Sequence, residues 1–242
     1  MRNKMKSCRH HAAGNGDAFV SSGAGKASQT RAREPVGRSF GSVRGKFPSK
    51  KNGRMIHWES QLERDAIYIF EFSPGVANYR EQPFKTHYTL GGQTRRYTPD
   101  FLVTLLTGER IVIEVKPAKR LRDPSEHCRF DRITGHLQQF GDPFQILTEQ
   151  QIRQPQLLEN LHLLHRYRGE RFTPLERRLH RERLSALPEI TLASVRLSLN
   201  DSTAIWNLID EGILTCDLRM PLNAKTIFNI VWKESSNADI YF

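Results

Sequence analysis

The stretch Thr98–Lys116, TPDFLVTLLTGERIVIEVK, decides the fold because two apolar segments flank a glycine turn. Alternating apolar residues on both sides of the turn predict a β-hairpin. Three charged residues interrupt this pattern: Asp100, Glu114 and Lys116. Charged side chains are rarely buried in strands without partners. They therefore either belong to an exposed sheet face or converge on a common site.

The register of the hairpin distinguishes these possibilities, because side chains alternate between the two faces of a strand. A hairpin centred on Gly108 pairs Phe101 with Val115 and makes one face fully apolar. Asp100 then lies opposite Lys116, and all three charged residues gather on the other face. A slip of one residue would mix apolar and charged residues on both faces. Burial thus favours the register in which the charges meet.

Two neighbouring carboxylates repel each other unless a cation lies between them. Mg²⁺ or Mn²⁺ prefers carboxylate oxygens and suits phosphate substrates. Such an ion activates a bound water, and Lys116 can orient that water and stabilise the scissile phosphate. The pattern therefore predicts hydrolysis of a phosphodiester. The alternative is a cross-strand ion pair between Asp100 and Lys116, with Glu114 solvated.

Helices and further strands surround the hairpin and predict a mixed α/β domain. Ser60 is the expected N-cap of the first helix, which ends before Ser73-Pro74-Gly75. The predicted elements are a helix over Ser60–Phe72, one strand over Val76–Leu90, the hairpin strands Tyr97–Leu106 and Arg110–Lys116, a helix over Pro124–Phe140, a strand over Phe144–Leu147 and a helix over Gln156–Tyr167.

Positive charge is concentrated at the start of the chain. The net charge is +11, and residues 1–54 contain 13 Lys/Arg but only two acidic residues, Asp17 and Glu34. Residues 1–37 are rich in Gly and Ser and poor in aromatic residues, so we expect a disordered basic arm. A polyanion, above all nucleic acid, is the expected partner. A solubilising tail is the alternative.

Residues 169–242 differ in character from the preceding segment. A charged linker and surface helix precede two short helices and a predicted hairpin, ILTCDL followed by TIFNIVW. This order matches a small winged-helix-like α+β module. Many small α+β modules share the same order.

The cysteines Cys8, Cys128 and Cys216 form no CxxC pair, which argues against a disulfide framework or a zinc site. No apolar run approaches the length of a membrane span, and the N-terminus lacks the apolar core of a secretory signal. We expect a cytoplasmic protein without a membrane partner.

Pro99-Asp100 followed by Glu114-Val115-Lys116, on a hairpin between helices, resembles the PD-(D/E)xK nuclease core. The resemblance implies a restriction-endonuclease-like fold, with a mixed central sheet flanked by helices. In that superfamily the preceding helix often supplies another acid, and Glu63 is the candidate. Glu63 also fits a capping box with Ser60, and Glu59 is a second candidate acid.

The segments ESQLER, REQP, TPDFLV and IEVKPA are similar to the TnsA family, the endonuclease subunits of heteromeric Tn7-like transposases. The resemblance covers about residues 38–168, the expected nuclease domain. It implies catalytic roles for Glu63, Asp100, Glu114 and Lys116, with the three acids holding Mg²⁺ or Mn²⁺. Gln82, in REQP, also matches the family pattern, either as support for the site or as a buried amide at the sheet edge.

The same resemblance implies partners. TnsA cuts the DNA strands at transposon ends that the TnsB transposase does not cut, and the C-terminal module contacts DNA and the AAA+ regulator TnsC. Double-stranded DNA, a TnsB-type transposase and a TnsC-type ATPase are thus the expected partners. The candidate DNA contacts are Lys119, Arg120 and Arg122 after the hairpin and Lys50, Lys51 and Arg54 before the first helix.

Two alternatives to this function stay open at the level of sequence. A restriction-type or resolvase-type nuclease would share the same acids and lysine and differ in its partners. A non-enzymatic basic winged-helix protein would bind DNA without a divalent metal, and the acids would then be structural.

Overall fold

A computed structural model describes residues 43–201, 203–232 and 239–242. The predicted basic arm, residues 1–37, lies outside these described residues. The strands are β1 (Gly45–Ser49), β2 (Arg54–Trp58), β3 (Val76–Glu81), β4 (Thr86–Leu90), β5 (Gln93–Tyr97), β6 (Phe101–Leu105), β7 (Arg110–Val115), β8 (Phe144–Leu147), β9 (Leu214–Thr215) and β10 (Asn229–Ile230). The helices are α1 (Gln61–Phe72), α2 (Ala118–Leu121), α3 (Pro124–Gln138), α4 (Glu149–Ile152), α5 (Pro155–Tyr167), α6 (Pro174–Ser185), α7 (Leu192–Leu199) and α8 (Ala204–Asp210).

The central sheet is mixed and has the strand order β3-β6-β7-β8. β6 pairs antiparallel with both β3 and β7, whereas β8 runs parallel to β7. A parallel neighbour requires a crossover connection, and α2 and α3 supply it. This architecture confirms the predicted mixed α/β core, a central sheet with helices on its faces.

Two hydrophobic layers cover the sheet. α1 and α5 pack on one face, against alternate residues such as Phe101, Val103 and Ile113, which are fully buried. α3 and the β4–β5 hairpin pack on the other face, around Val112 and Phe130. Because both faces are covered, a charged residue in the middle strands is withdrawn from water unless it lies near a strand end.

The predicted single strand over Val76–Leu90 is wrong, because the chain leaves the sheet after Glu81. Gln82 adopts a left-handed conformation with φ of +44°, and Pro83 follows it. A proline removes a backbone donor, and a left-handed residue turns the chain out of the strand path. The second half of the segment therefore forms a separate hairpin, β4–β5, closed by Gly91 and Gly92 at positive φ.

The C-terminal segment contains α6, α7 and α8 followed by a two-stranded antiparallel ladder, β9–β10. An isolated bridge between Thr191 and Ile227 adds to this ladder. The order of elements agrees with the prediction, but each strand has only two residues. A winged-helix assignment for this segment stays a prediction. Within the described residues, no helix has the length and apolar character that crossing a bilayer would require.

A buried ionic network joins this segment to the core. The Glu71 carboxylate, at the end of α1, is fully buried and accepts five hydrogen bonds, from the Ser49 hydroxyl, the Tyr79 hydroxyl, the backbone N–H groups of Lys50 and Lys51, and the Arg168 guanidinium. Arg168 also binds Asp210 of α8 at 2.8 Å. Removing one partner of such a network leaves a charge buried without compensation.

We expect Arg168→Ala to lower the free energy of unfolding by about 3–5 kcal/mol, because Glu71 and Asp210 would both lose their shared cation. Denaturant unfolding of the two proteins measures the difference. Arg178→Ala is the matched control, since Arg178 forms an exposed ion pair with Glu182. The control should unfold at the wild-type midpoint, and an equal loss in both variants would contradict the assigned importance of the network.

Candidate active site

The β6–β7 hairpin places its charged residues on one face through a register that differs from the predicted one. Phe101 pairs with Ile113, two residues short of the predicted Val115. The cause is the turn, which closes between Leu105 N–H and Glu109 C=O at 2.8 Å and so is not centred on Gly108. A shift of two residues preserves the alternation of faces. The predicted pairing is therefore wrong, while the predicted division of faces holds.

Glu114 is buried at the carboxyl end of β7, and both of its carboxylate oxygens have partners. The Tyr97 hydroxyl donates to Oε2 at 2.7 Å, and the Lys116 ammonium pairs with Oε1 at 2.8 Å. Burial, followed by the Glu114 carboxylate, raises the pKa of Tyr97 well above its usual value. The hydroxyl therefore remains a donor at neutral pH.

The alternative cross-strand pair between Asp100 and Lys116 is not among the ion pairs of the described residues. Lys116, which directly follows β7, pairs with Glu114, because the shifted register sets Asp100 at the level of Glu114 and no longer opposite Lys116. Burial opposes the charge of the Lys116 ammonium, but the carboxylates of Glu114 and Asp100 outweigh it and raise the pKa of Lys116. Lys116 is thus a fixed cation between two acids.

Asp100 lies just before β6 and is half-buried. Its Oδ2 accepts a hydrogen bond from Val115 N–H at 2.8 Å. Burial, then the carboxylates of Glu114 and Glu63, raise the pKa of Asp100 well above its usual value, and Lys116 offsets this only in part. The structure therefore brings Asp100, Glu114 and Lys116 together, with Glu63 within electrostatic reach.

Glu63 lies in the first turn of α1, where Ser60 is the N-cap, as predicted. Its Oε1 accepts from the Ser60 hydroxyl at 3.0 Å, and its Oε2 accepts from Glu59 N–H at 2.8 Å. In a capping box Glu63 would accept from the Ser60 backbone N–H, but here it accepts from the N–H of the preceding residue, Glu59. Burial raises the pKa of Glu63, although these two hydrogen bonds oppose the shift. Glu63 caps the helix and faces the site.

Gln82 connects the acids of α1 with those of the sheet. Its backbone N–H donates to the Asp100 carbonyl at 2.8 Å, and its side-chain Nε2 donates to Glu59 Oε1 at 3.1 Å. Its Oε1 is buried and has no hydrogen-bond partner among the described residues. A buried acceptor without a partner and a left-handed backbone are both energetically unfavourable. Both occur at this one residue, beside the acids.

The candidate DNA contacts fall into two groups. Lys119, Arg120 and Arg122 are exposed on and after α2, within six residues of Lys116. The other three make internal contacts: Lys50 pairs with Asp210, Lys51 donates to two backbone carbonyls, and Arg54 pairs with Glu81.

These internal contacts join segments that are distant along the chain, so the sequence alone did not reveal them. Burial also lowers the pKa of Lys51 to about 8, although the Glu71 carboxylate acts in the opposite direction. Lys51 is therefore a weaker cation than an exposed lysine.

The carboxylates of the candidate site are the potential ligands of a divalent cation. Across residues 43–201, 203–232 and 239–242, no three His, Cys, Asp or Glu side chains are placed as a ready ligand group. The chemistry of the donors nevertheless fits a hard ion, because Asp100, Glu114 and Glu63 are carboxylates and because burial, followed by the two neighbouring acids, raises the pKa of Asp100. Glu63 and Glu114 would have to exchange their present hydrogen bonds for a metal.

Tyr97 is the residue near the acids that the sequence analysis missed. It lies three positions before Asp100, at a buried position of β5, and it orients Glu114. The only signal in the sequence was a tyrosine beside the TPD motif. The hydrogen bond itself depends on how the β4–β5 hairpin folds onto α3.

Comparisons with known proteins bear on the same segment. Residues 73–149 match the family model described as TnsA-like endonuclease N terminal. The match includes Gln82, Asp100, Glu114 and Lys116, whereas Glu63 and the C-terminal segment lie outside it. No curated protein matches the sequence significantly. The family match confirms the resemblance predicted from the sequence and supports a nuclease of the Tn7 transposition type, with residues 73–149 similar to the N-terminal domain of TnsA-like endonucleases.

Proposed function

We propose that this protein is a metal-dependent DNA endonuclease that cuts transposon ends, on the strand that its partner transposase leaves intact. The observation that carries the proposal is the convergence of Asp100, Glu114 and Lys116 at one end of the β6–β7 hairpin, inside the segment that matches TnsA-like endonucleases. Cut-and-paste transposition requires breaks in both strands, so a second nuclease complements a transposase that cuts one.

Asp100, Glu114 and Glu63 would hold Mg²⁺ or Mn²⁺. When bound, the ion would lower the pKa of a water and neutralise charge on the phosphate. Lys116, held between Glu114 and Asp100, orients the attacking water and stabilises the scissile phosphate. Burial, followed by the carboxylates of Glu114 and Glu63, raises the pKa of Asp100, and a cation bound among these acids would offset their mutual repulsion.

Gln82 would support the site in two ways. Its backbone bond to Asp100 fixes the entry to β6, and its bond to Glu59 restrains the residue whose N–H holds Glu63. The unpartnered Oε1 can accept a hydrogen bond from a water in the site. Residues that orient ligands in this way strongly affect metal affinity and activity.

Double-stranded DNA is the proposed substrate, and the exposed cations Lys119, Arg120 and Arg122 would contact its phosphates. The proposed partners are a TnsB-type transposase and a TnsC-type ATPase, with the segment after residue 168 as a winged-helix-like docking module. These partner assignments rest on the family resemblance. Lys50, Lys51 and Arg54 make contacts within the protein, so their main role is structural and we do not propose them as DNA contacts.

We expect Asp100→Ala to reduce cleavage at transposon ends by at least about a hundredfold, because one carboxylate of the site is lost. The measurement is strand-specific cleavage of end DNA with Mg²⁺ and with the TnsB-type and TnsC-type partners present. The cut made by the partner transposase should persist. Asp131→Ala, which removes an exposed acid of α3, is the control and should cut normally. Undiminished cutting by Asp100→Ala would refute the assigned site.

We expect Asp100→Asn to raise the free energy of unfolding at neutral pH. The folded-state pKa of Asp100 lies well above the usual value of 3.8, so ionisation at higher pH costs the folded protein stability. The difference between the two proteins should shrink as the pH falls and disappear below 3.8, where both the folded and the unfolded state hold the proton. Thermal or denaturant unfolding across this pH range measures it.

The same pair of proteins tests metal binding without any cleavage assay. Mn²⁺ at a hundredfold excess over its Kd should stabilise the wild type by about 2.7 kcal/mol, because a ligand of the folded state adds its binding free energy. Asp100→Asn should gain much less. Equal stabilisation of both proteins would place the metal elsewhere.

We expect Gln82→Leu to reduce cleavage by about 10- to 100-fold, since a group that orients the acids is lost. The free energy of unfolding should change little, because the substitution also removes a buried acceptor without a partner. Gln93→Leu, at an exposed glutamine of β5, is the control for cleavage. Wild-type cleavage by Gln82→Leu would limit Gln82 to a structural role at the sheet edge.

A further inference from the structure

The β4–β5 hairpin carries a concentration of positive charge that the proposed catalytic chemistry does not use. Residues 82–99 contain Lys85, Arg95 and Arg96 and no Asp or Glu. All three cations are exposed, and none forms an ion pair within the described residues. Residues 55–242 as a whole hold equal numbers of acidic and basic residues. Residues 82–99 therefore carry a local excess of positive charge that the rest of residues 55–242 does not show.

The hairpin is held rigidly against the rest of the domain. Its two-residue Gly91-Gly92 turn, with both glycines at positive φ, suits the twist of a tight hairpin. Tyr88 and Tyr97 are buried against α3, and Thr86 Oγ1 lies 2.7 Å from His136 Nε2. Cations on a fixed support lose little conformational entropy when they bind.

The hairpin also lies directly beside the candidate catalytic acids. The Tyr97 hydroxyl contacts Glu114, and Arg95, two positions before Tyr97, lies on the same strand face, about 7 Å along the strand. Arg96 pairs with His87 on the opposite face of the hairpin. The exposed cations Lys119, Arg120 and Arg122 follow Lys116 by three to six residues, on and just after α2.

One of the two acids of α3 already has a cationic partner. Glu126 pairs with Arg129 of its own helix, and Arg129 also interacts with Tyr88. Asp131 is exposed on the same helix. The hairpin thus presents positive charge next to a helix on which Glu126 is already paired within the helix.

We propose that the β4–β5 hairpin is a DNA-backbone binding arm, in which Arg95 and Arg96, assisted by Lys85, hold phosphates adjacent to the scissile one. The arm and the α2 cations would flank the catalytic acids, so the bound strand would cross the carboxyl end of β7. The proposal rests on the proposed nuclease function for the identity of the polyanion. Arginine is suited to this role because its guanidinium donates two parallel hydrogen bonds to a phosphate.

The test is equilibrium binding of a 30-base-pair duplex to the full chain in EDTA, at several salt concentrations. Each phosphate contact contributes about 0.9 to the slope of log K against log salt. The double variant Arg95→Gln/Arg96→Gln should lower the slope by about 1.8 and weaken binding about tenfold or more near 0.1 M salt. Lys46→Gln/Arg166→Gln removes two exposed cations from the α1/α5 side and should bind as the wild type does.

A second variant, Arg95→Lys/Arg96→Lys, keeps the charge and should restore most of the salt slope. A slope for Arg95→Gln/Arg96→Gln equal to that of the Lys46/Arg166 control, with a wild-type melting temperature, would overturn the proposal. Because EDTA prevents metal-dependent cleavage, the outcome is independent of the nuclease assay. If the double variant loses DNA binding but the wild type never cuts DNA, the hairpin is still a DNA-binding arm and only the proposed nuclease function is refuted.

Discussion

The alternation of side chains along a β-strand is the constraint on which the candidate site depends. β6 and β7 pair with an even offset, so Asp100, Glu114 and Lys116 emerge on one side of the hairpin while Phe101 and Ile113 fill the core on the other. An odd offset would have put an acid into the apolar layer beneath α1, at a prohibitive cost. The requirement to bury one face therefore also assembles the charged face.

Assembling these groups costs the fold stability. The raised pKa of Asp100 means that its ionised form is held at a disadvantage, between Glu114 and Glu63. Gln82 adds a left-handed backbone and a buried oxygen without a partner, and it is bonded to the Asp100 carbonyl. Gln82 and Asp100 are hydrogen-bonded to each other, so these costs fall on neighbouring residues, and strained or unsatisfied groups of this kind cluster at functional sites.

Much of the fold followed from local signals. Residues close together in the sequence determine where α1 begins, at the Ser60 N-cap, and where it ends, after Phe72. They also determine the helical spacing of apolar residues in α5, and the structure contains both helices as predicted. The division of the hairpin into an apolar and a charged face likewise followed from the alternation of residues within β6 and β7. The convergence of the acids could therefore be predicted from alternation and burial.

What the sequence did not reveal depends on contacts between distant segments. The two-residue change in register is set by how the turn closes between Leu105 and Glu109. The end of the strand at Gln82 could be predicted only if the hydrogen bond from Gln82 N–H to the Asp100 carbonyl were known. The internal role of Lys50 is set by Asp210, 160 positions along the chain. Periodicity carries no information about such partners.

The buried ionic network at Glu71 has a consequence for how the two halves of the chain communicate. α1 begins with Glu63 beside the candidate active site and ends with Glu71, which Arg168 ties to Asp210 of α8. This 12-residue helix spans about 18 Å as a single rigid rod. Because Arg168 ties this helix to α8, a force that pulls the C-terminal segment away from the core acts directly on the Glu71 end of the helix whose first turn carries Glu63.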